Sequence, residues 1–170
     1  MHLNIEFKAR CSSHEKIRNI LRNYKADYKG KDHQIDTYFN VNFGKLKLRE
    51  GKENLLIYYD RKEKSGPKQA KVGMFKSGSN SQLKEILIKS LGILIIVDKK
   101  REVYWIDNIK FNLDTVKNLG TFVEVEAIDY KGNIGKNKLQ QQCDYYLNRL
   151  GIKNKDLIPI SYSNMLLRKK

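Results

Sequence analysis

Asn4-Ile5-Glu6-Phe7-Lys8-Ala9-Arg10 alternates without a break, with Asn4, Glu6, Lys8 and Arg10 on one face and Ile5, Phe7 and Ala9 on the other. A period of two describes a β-strand with one charged face and one hydrocarbon face. The pattern returns at Lys45-Leu46-Lys47-Leu48-Arg49 and at Thr121-Phe122-Val123-Glu124-Val125-Glu126-Ala127. Strands of this kind build one highly charged surface, and where that surface points decides the function.

Outward from these anchors, the first strand covers Leu3 to Arg10. Ser12-Ser13 caps a helix predicted from His14 to Tyr28, with Ile17, Ile20, Leu21 and Tyr24 as its apolar stripe. Strands are predicted at 34–41, 45–50, 54–61 and 69–75, with turns at Gly44, Gly51 and Ser65-Gly66-Pro67. Ser77-Gly78-Ser79-Asn80 introduces a second helix from Ser81 to Leu91, with Leu83, Ile86, Leu87 and Leu91 on its apolar side. Further strands are predicted at 93–99, 101–107, 109–114 and 121–129. A third helix runs from Lys136 to Leu150, stopped by Gly151. The tail from Leu157 to Leu167 is apolar enough to dock. Eight or nine short, mostly antiparallel strands with inserted helices make an α+β protein dominated by one sheet or barrel, predicted as one domain over residues 1–170.

At 170 residues, with 40% apolar and 31% charged residues, the chain suits a globular domain that needs neither disulfides nor metal to fold. Two distant cysteines, Cys11 and Cys143, give no metal spacing and no disulfide framework, and no leader precedes the first strand. A reducing cytoplasm is the expected location. No apolar run approaches the ~20 residues of a membrane span, so no membrane is expected. The net charge of +15, from 34 Lys and Arg against 19 Asp and Glu, selects an anionic partner but not its identity. The three histidines form no ligand pattern and are expected at the surface. No glycine-rich phosphate loop is present.

The alternate polar positions gather Glu6, Lys8 and Arg10; Lys45, Lys47 and Arg49; Arg61; Lys99 and Arg101; Lys110, Asn112 and Asp114; Glu124 and Glu126. A sheet with one wet face would simply solvate them. Three amphipathic helices, however, need the strands' apolar faces outside. A sheet closed into a barrel would then enclose the charge, with cations for phosphates and acids for a hard metal ion.

Here Asn4-Ile5-Glu6-Phe7-Lys8 resembles the ExExK signature of the CYTH superfamily, the triphosphate tunnel metalloenzymes. The resemblance continues through Asp36-Thr37-Tyr38-Phe39, Gly44 to Glu50, Leu56 to Arg61 and Val97 to Arg101. It runs on through Leu113-Asp114 and Leu119 to Glu126 to Ser161-Tyr162-Ser163. The branch it resembles most is the class IV adenylyl cyclases, with thiamine triphosphatases and inorganic tripolyphosphatases as cousins. The resemblance implies a closed eight-stranded antiparallel barrel with flanking helices and a polar interior. It implies that Lys8, Lys47, Arg49, Arg61, Lys99 and Arg101 bind phosphates and that Glu6, Glu124 and Glu126 bind Mg2+ or Mn2+, with Asp114 a further acid of the metal set. Lys8, Glu6 and Arg61 form the implied catalytic group. The first glutamate of the signature is Asn4 here, which removes one negative charge from the expected metal site.

A triphosphate carries about four negative charges, so enclosing it needs fixed cations and a bridging metal. Attack of a ribose 3′-hydroxyl on the α-phosphorus of ATP gives cyclic AMP and pyrophosphate. Attack of water gives a triphosphatase acting on tripolyphosphate, thiamine triphosphate or a nucleoside triphosphate. A non-catalytic polyphosphate or nucleotide module is the third expectation, and a basic nucleic-acid binder using an outer face the fourth. The favoured partner is the small triphosphate rather than nucleic acid, on a monomer or homodimer.

Overall fold

The structure is a computed structural model that describes residues 1–61, 64–78 and 82–169. Its strands are β1 (His2–Arg10), β2 (Asp27–Phe39), β3 (Lys45–Glu50), β4 (Asn54–Asp60), β5 (Lys68–Ser77), β6 (Ile93–Ile106), β7 (Ile109–Val116) and β8 (Gly120–Asp129). The helices are α1 (His14–Asn23), α2 (Leu83–Leu91), α3 (Lys136–Arg149) and the short α4 (Tyr162–Leu167). The strands close in the order β1-β5-β4-β3-β2-β6-β7-β8, and β8 returns to pair antiparallel with β1. The expected closed eight-stranded barrel is therefore the observed one.

Alternation decides what lies outside. Ile5, Phe7 and Ala9 of β1, Phe111 and Leu113 of β7, and Val123, Val125 and Ala127 of β8 form a buried cluster with Ile17 and Leu21 of α1 and Leu139, Cys143 and Tyr146 of α3. Two helices thus cover one flank of the barrel and occupy the hydrocarbon faces of those strands. Both cysteines are free and buried, Cys143 donating to the carbonyl of Ile5 at 3.1 Å. Ser13 caps α1 by accepting from the N–H of Lys16. Gly151, at φ 67°, sits just past α3, where a side chain would be strained.

Several features differ from expectation for identifiable reasons. Helix α1 ends at Asn23 rather than Tyr28, because Lys25 turns to φ 52° and the N–H of Ala26 returns to the carbonyl of Leu21. Asp27 to His33 instead pair as strand with β6. The two strands predicted at 93–99 and 101–107 are one 14-residue strand, β6, that runs straight through Lys100. Its length is matched by the 13 residues of β2, its partner. Helix α2 lies against β2 with Leu83, Leu87 and Leu91 half-buried, but none of its residues is fully buried and Ile86 is largely exposed. The expected start of α2 at Ser81, and Ser79 and Asn80 before it, lie outside the described residues.

The tail docks as expected. The N–H of Ile158 bonds to the carbonyl of Lys8, and Lys45 reaches Ser161 at 2.6 Å and Asn164 at 2.7 Å. Lys68, almost wholly buried, donates to the carbonyl of Pro159 at 2.8 Å. Tyr162 then enters a second apolar cluster with Tyr38, Ile57, Tyr59, Ile95, Val97, Val116 and Phe122. Among the described residues this cluster closes one end of the barrel. The other end opens between the start of β1 and the end of β8.

A charged cup as candidate active site

Strand register builds the interior. Asp36 of β2 stands opposite Arg49 of β3, Arg101 of β6 opposite Asp114 of β7, and Lys8 of β1 opposite Glu124 of β8. Each of these cross-strand pairs becomes a buried ion pair. Glu6 faces Glu126 across β1 and β8, and the two like charges find other partners. Glu6 pairs with Arg61, and Glu126 accepts from Asn112 Nδ2 at 2.6 Å and from Asn4 Nδ2 at 3.4 Å.

Asp36 is the centre of one cluster. It binds Arg49 through two contacts of 2.7 and 2.9 Å, Lys47 at 2.8 Å and Lys99 at 2.6 Å. Burial works against its ionisation, but the charges of Arg49, Lys47 and Lys99 outweigh burial and hold its carboxyl well below the usual carboxylate range. The same burial, with Arg49 beside it, pushes the Lys99 ammonium well below its ordinary value. A second cluster joins Arg101 to Asp114 by two 2.6 Å contacts and to Glu124 at 2.8 Å, while Lys8 reaches Glu124 at 2.7 Å. The Tyr162 hydroxyl donates to Asp114 at 2.8 Å, and Lys8 Nζ lies 4.0 Å from the centre of the Tyr162 ring. Burial opposes the ionisation of Glu124, yet Lys8 and Arg101 hold it well below its usual range.

Among the described residues, seven cationic side chains (Lys8, Lys47, Arg49, Arg61, Lys99, Arg101 and Lys110) and four carboxylates (Glu6, Asp36, Glu124 and Glu126) line the cavity. The cup therefore holds a surplus of positive charge. Buried cations without enough acids are costly unless an anion joins them, so the lining is suited to a multiply charged anion.

A model of the CYTH domain matches residues 2–162. The chain belongs to the CYTH domain family. The PH1012 protein of Pyrococcus horikoshii OT3 is similar in structure, with 22% identity, a TM-score of 0.80, and 96% of this chain and 98% of that one covered. A candidate adenylate cyclase from Vibrio parahaemolyticus has 14% identity and a TM-score of 0.81, with 97% and 98% covered. A candidate adenylyl cyclase from Hippeastrum, described as having a dominant triphosphatase activity, has 14% identity and a TM-score of 0.67, with 100% and 97% covered. At such identities the likeness is one of fold. No curated protein matches the chain.

In this CYTH cup the ten residues singled out from the sequence (Glu6, Lys8, Lys47, Arg49, Arg61, Lys99, Arg101, Asp114, Glu124 and Glu126) all sit inside the barrel. Nine of them line the cavity; Asp114 lies behind it, clamped between Arg101 and Tyr162. Asp36, absent from the expected site, holds three of the expected phosphate ligands. The segment Asp36-Thr37-Tyr38-Phe39 carries part of the family resemblance, but the role of its acid is not legible there, and the register against Arg49 supplies it. Lys110 also faces the cavity, where burial depresses its ammonium.

Among the described residues no three acids, histidines or cysteines converge as a ready-made metal cage. The donor chemistry nonetheless fits a hard divalent ion. The cavity's acids offer only oxygen, and the side-chain carbonyls of Asn4 and Asn112, on either side of Glu126, are buried with no hydrogen-bond partner. Such orphaned oxygens suit Mg2+ or Mn2+ or its water.

Proposed function

We propose that this chain is a divalent-metal-dependent, adenylyl cyclase-like enzyme that converts ATP to cyclic AMP and pyrophosphate. The observation that carries the triphosphate reading is the surplus of cations over carboxylates around one enclosed cavity. Lys47, Arg49, Lys99 and Arg101, now paired with Asp36, Asp114 and Glu124, would take the phosphate oxygens. Lys8 and Arg61 would do the same on the β1 side. Glu6, Glu124 and Glu126, with the amide oxygens of Asn4 and Asn112, would hold the metal, which supplies charge neutralisation across the phosphate oxygens. Asp114 has a positioning part in this scheme, fixing the Arg101 fork.

The location of the closed end supports cyclisation. A polyphosphate that enters tail first puts its terminal phosphate against the apolar plug, away from bulk water, and leaves the α-phosphorus nearer the mouth. There the ribose 3′-oxygen forms the new P–O bond while the bond from the α-phosphorus to the bridging oxygen breaks. The hydroxyl proton leaves to water or a nearby carboxylate, and pyrophosphate departs with the bridging oxygen. Positioning and charge stabilisation do most of this work. Hydrolysis of a triphosphate is the second reading, favoured by the triphosphatase activity ascribed to the similar Hippeastrum protein.

Incubation with ATP, tripolyphosphate or thiamine triphosphate and Mg2+ or Mn2+, with products resolved chromatographically, tests both. Cyclic AMP is the expected product from ATP. Orthophosphate whose release depends on Glu6 and Glu124 would replace the cyclase by the hydrolase. Tight triphosphate binding without turnover would overturn both.

A further inference from the structure

The closed end of the barrel is not uniformly polar on its outside. Asn40, just past β2, donates to the carbonyl of Leu91 at 3.1 Å, tying the loop before β3 to the start of β6. That loop carries Phe43, which is 82% exposed, and the start of β6 adds Ile93, Leu94 and Ile96 at 43%, 38% and 49% exposed. Leu94 and Ile96 point outward because the alternate positions, Ile95 and Val97, fill the apolar plug. Cations gather at the same end, around the turn 117–119 between β7 and β8. The N–H of Lys117 bonds to the carbonyl of Asp98, which places Lys117 beside β6 just beyond Ile96. Arg10, the last residue of β1, donates to the carbonyl of Leu119 at 3.2 Å, and Lys169, just past α4, to that of Asn118 at 2.7 Å. Arg10, Lys117, Arg168 and Lys169 are all exposed, and among the described residues none has a carboxylate partner.

Several other surface lysines are paired, Lys76 with Glu53, Lys84 with Glu50 and Lys89 with Glu85. The acids near the closed end are engaged or set apart. Asp98 binds His33 at 2.7 Å, Asp60 stands opposite Lys71 in the β4/β5 ladder, and Asp156 is half-buried. Large exposed apolar side chains rimmed by charge mark a surface of contact, and the sign of the rim selects the partner. A second copy of this chain would bring the same unpaired cations against these four. A nucleic acid would answer the cations but has no use for the aliphatic Ile93, Leu94 and Ile96, because its bases stack on aromatic rings. An anionic bilayer answers both, with acyl chains for the apolar tips and headgroups for the cations. Such a contact needs no spanning helix, so it is compatible with the lack of a membrane-length apolar run.

We propose that the closed end docks on an anionic phospholipid surface, with Phe43, Ile93 and Leu94 entering the interface and Arg10, Lys117, Arg168 and Lys169 meeting lipid phosphates. The mouth, at the opposite end of the barrel, then faces the water, and the cup stays open to dissolved anions. This surface shares no residue with the cavity lining and stands whether or not the cup is an adenylyl cyclase.

Co-sedimentation with vesicles of phosphatidylcholine alone, or of phosphatidylcholine and phosphatidylglycerol in equal parts, tests this. The chain is expected to bind the anionic vesicles and not the zwitterionic ones. Phe43→Ser is expected to weaken binding about tenfold, and Lys117→Gln combined with Lys169→Gln by roughly fivefold per cation. Lys136→Gln combined with Lys138→Gln, the same charge change at the mouth end of α3, should stay close to wild type. In Phe43→Trp the added indole emission should shift to the blue on anionic vesicles, above the background of Trp105. Equal losses for the two lysine pairs, with no effect of Phe43→Ser, would mean only diffuse attraction of a basic chain and would overturn the docking face. Binding to neither vesicle, or to both alike, would overturn it as well. A dimer that Phe43→Ser dissolves, with no vesicle binding, would assign the face to a second copy instead.

Discussion

Asn4 sits diagonally across the β1/β8 ladder from Glu126 and donates to it, while its own carbonyl stays unanswered. A glutamate there would place a third carboxylate beside Glu6 and Glu126, which already draw on Arg61 and Lys110 for compensating charge. Asn4→Glu is therefore expected to lower thermal stability in chelator and to tighten Mn2+ binding by about tenfold or more, both read by thermal shift across a metal titration. Asp36 makes the opposite case. Removing its charge leaves Lys47, Arg49 and Lys99 buried without an acid, a change that costs about 3–5 kcal/mol. Asp36→Asn should unfold at a markedly lower temperature, and added tripolyphosphate should recover more of that loss than it adds to wild type. Of the site, the cations and glutamates were legible because strict alternation marks them in short strands. Asp36 was not, because its importance depends on which strand lies next to β2.

At the scale of elements, ladder register and tail docking do most to shape the cup. Strand positions were readable from period-two patterning, and the docking tail from its apolar content. The end of α1 and the unity of β6 were not, since both depend on a long pairing between β2 and β6 that local patterning does not encode. Segment 27–33 is polar enough to read as loop or helix end, yet β6 supplies its backbone partners. Helix α4 contributes Tyr162, whose hydroxyl reaches through the apolar plug to Asp114. Tyr162→Phe leaves that buried carboxylate one donor short, for an expected loss of about 1–3 kcal/mol. The melting temperature should fall by several degrees, measurable by calorimetry, while ladder packing keeps the barrel closed.

For the molecule as a whole, stability should depend on pH through the same enclosed acids. Asp36 and Glu124 are held well below the carboxylate range in the folded chain, while in the unfolded chain such groups titrate near about 4. The folded state thus binds fewer protons. Its advantage is full above pH about 4 and is lost as pH falls from there toward the folded values. Acid titration followed by circular dichroism should show stability declining below about pH 4, and Asp36→Asn should flatten that decline. No described helix is long and apolar enough to cross a membrane. The plug formed by Tyr162, Phe122 and their neighbours has a kinetic consequence: what goes in deepest must come out last. In the cyclase reading the nucleotide product leaves first and pyrophosphate follows through the same opening. Pyrophosphate should then inhibit competitively against ATP and cyclic AMP noncompetitively, so a bottom built of tyrosine and phenylalanine would set the order in which the enzyme lets go.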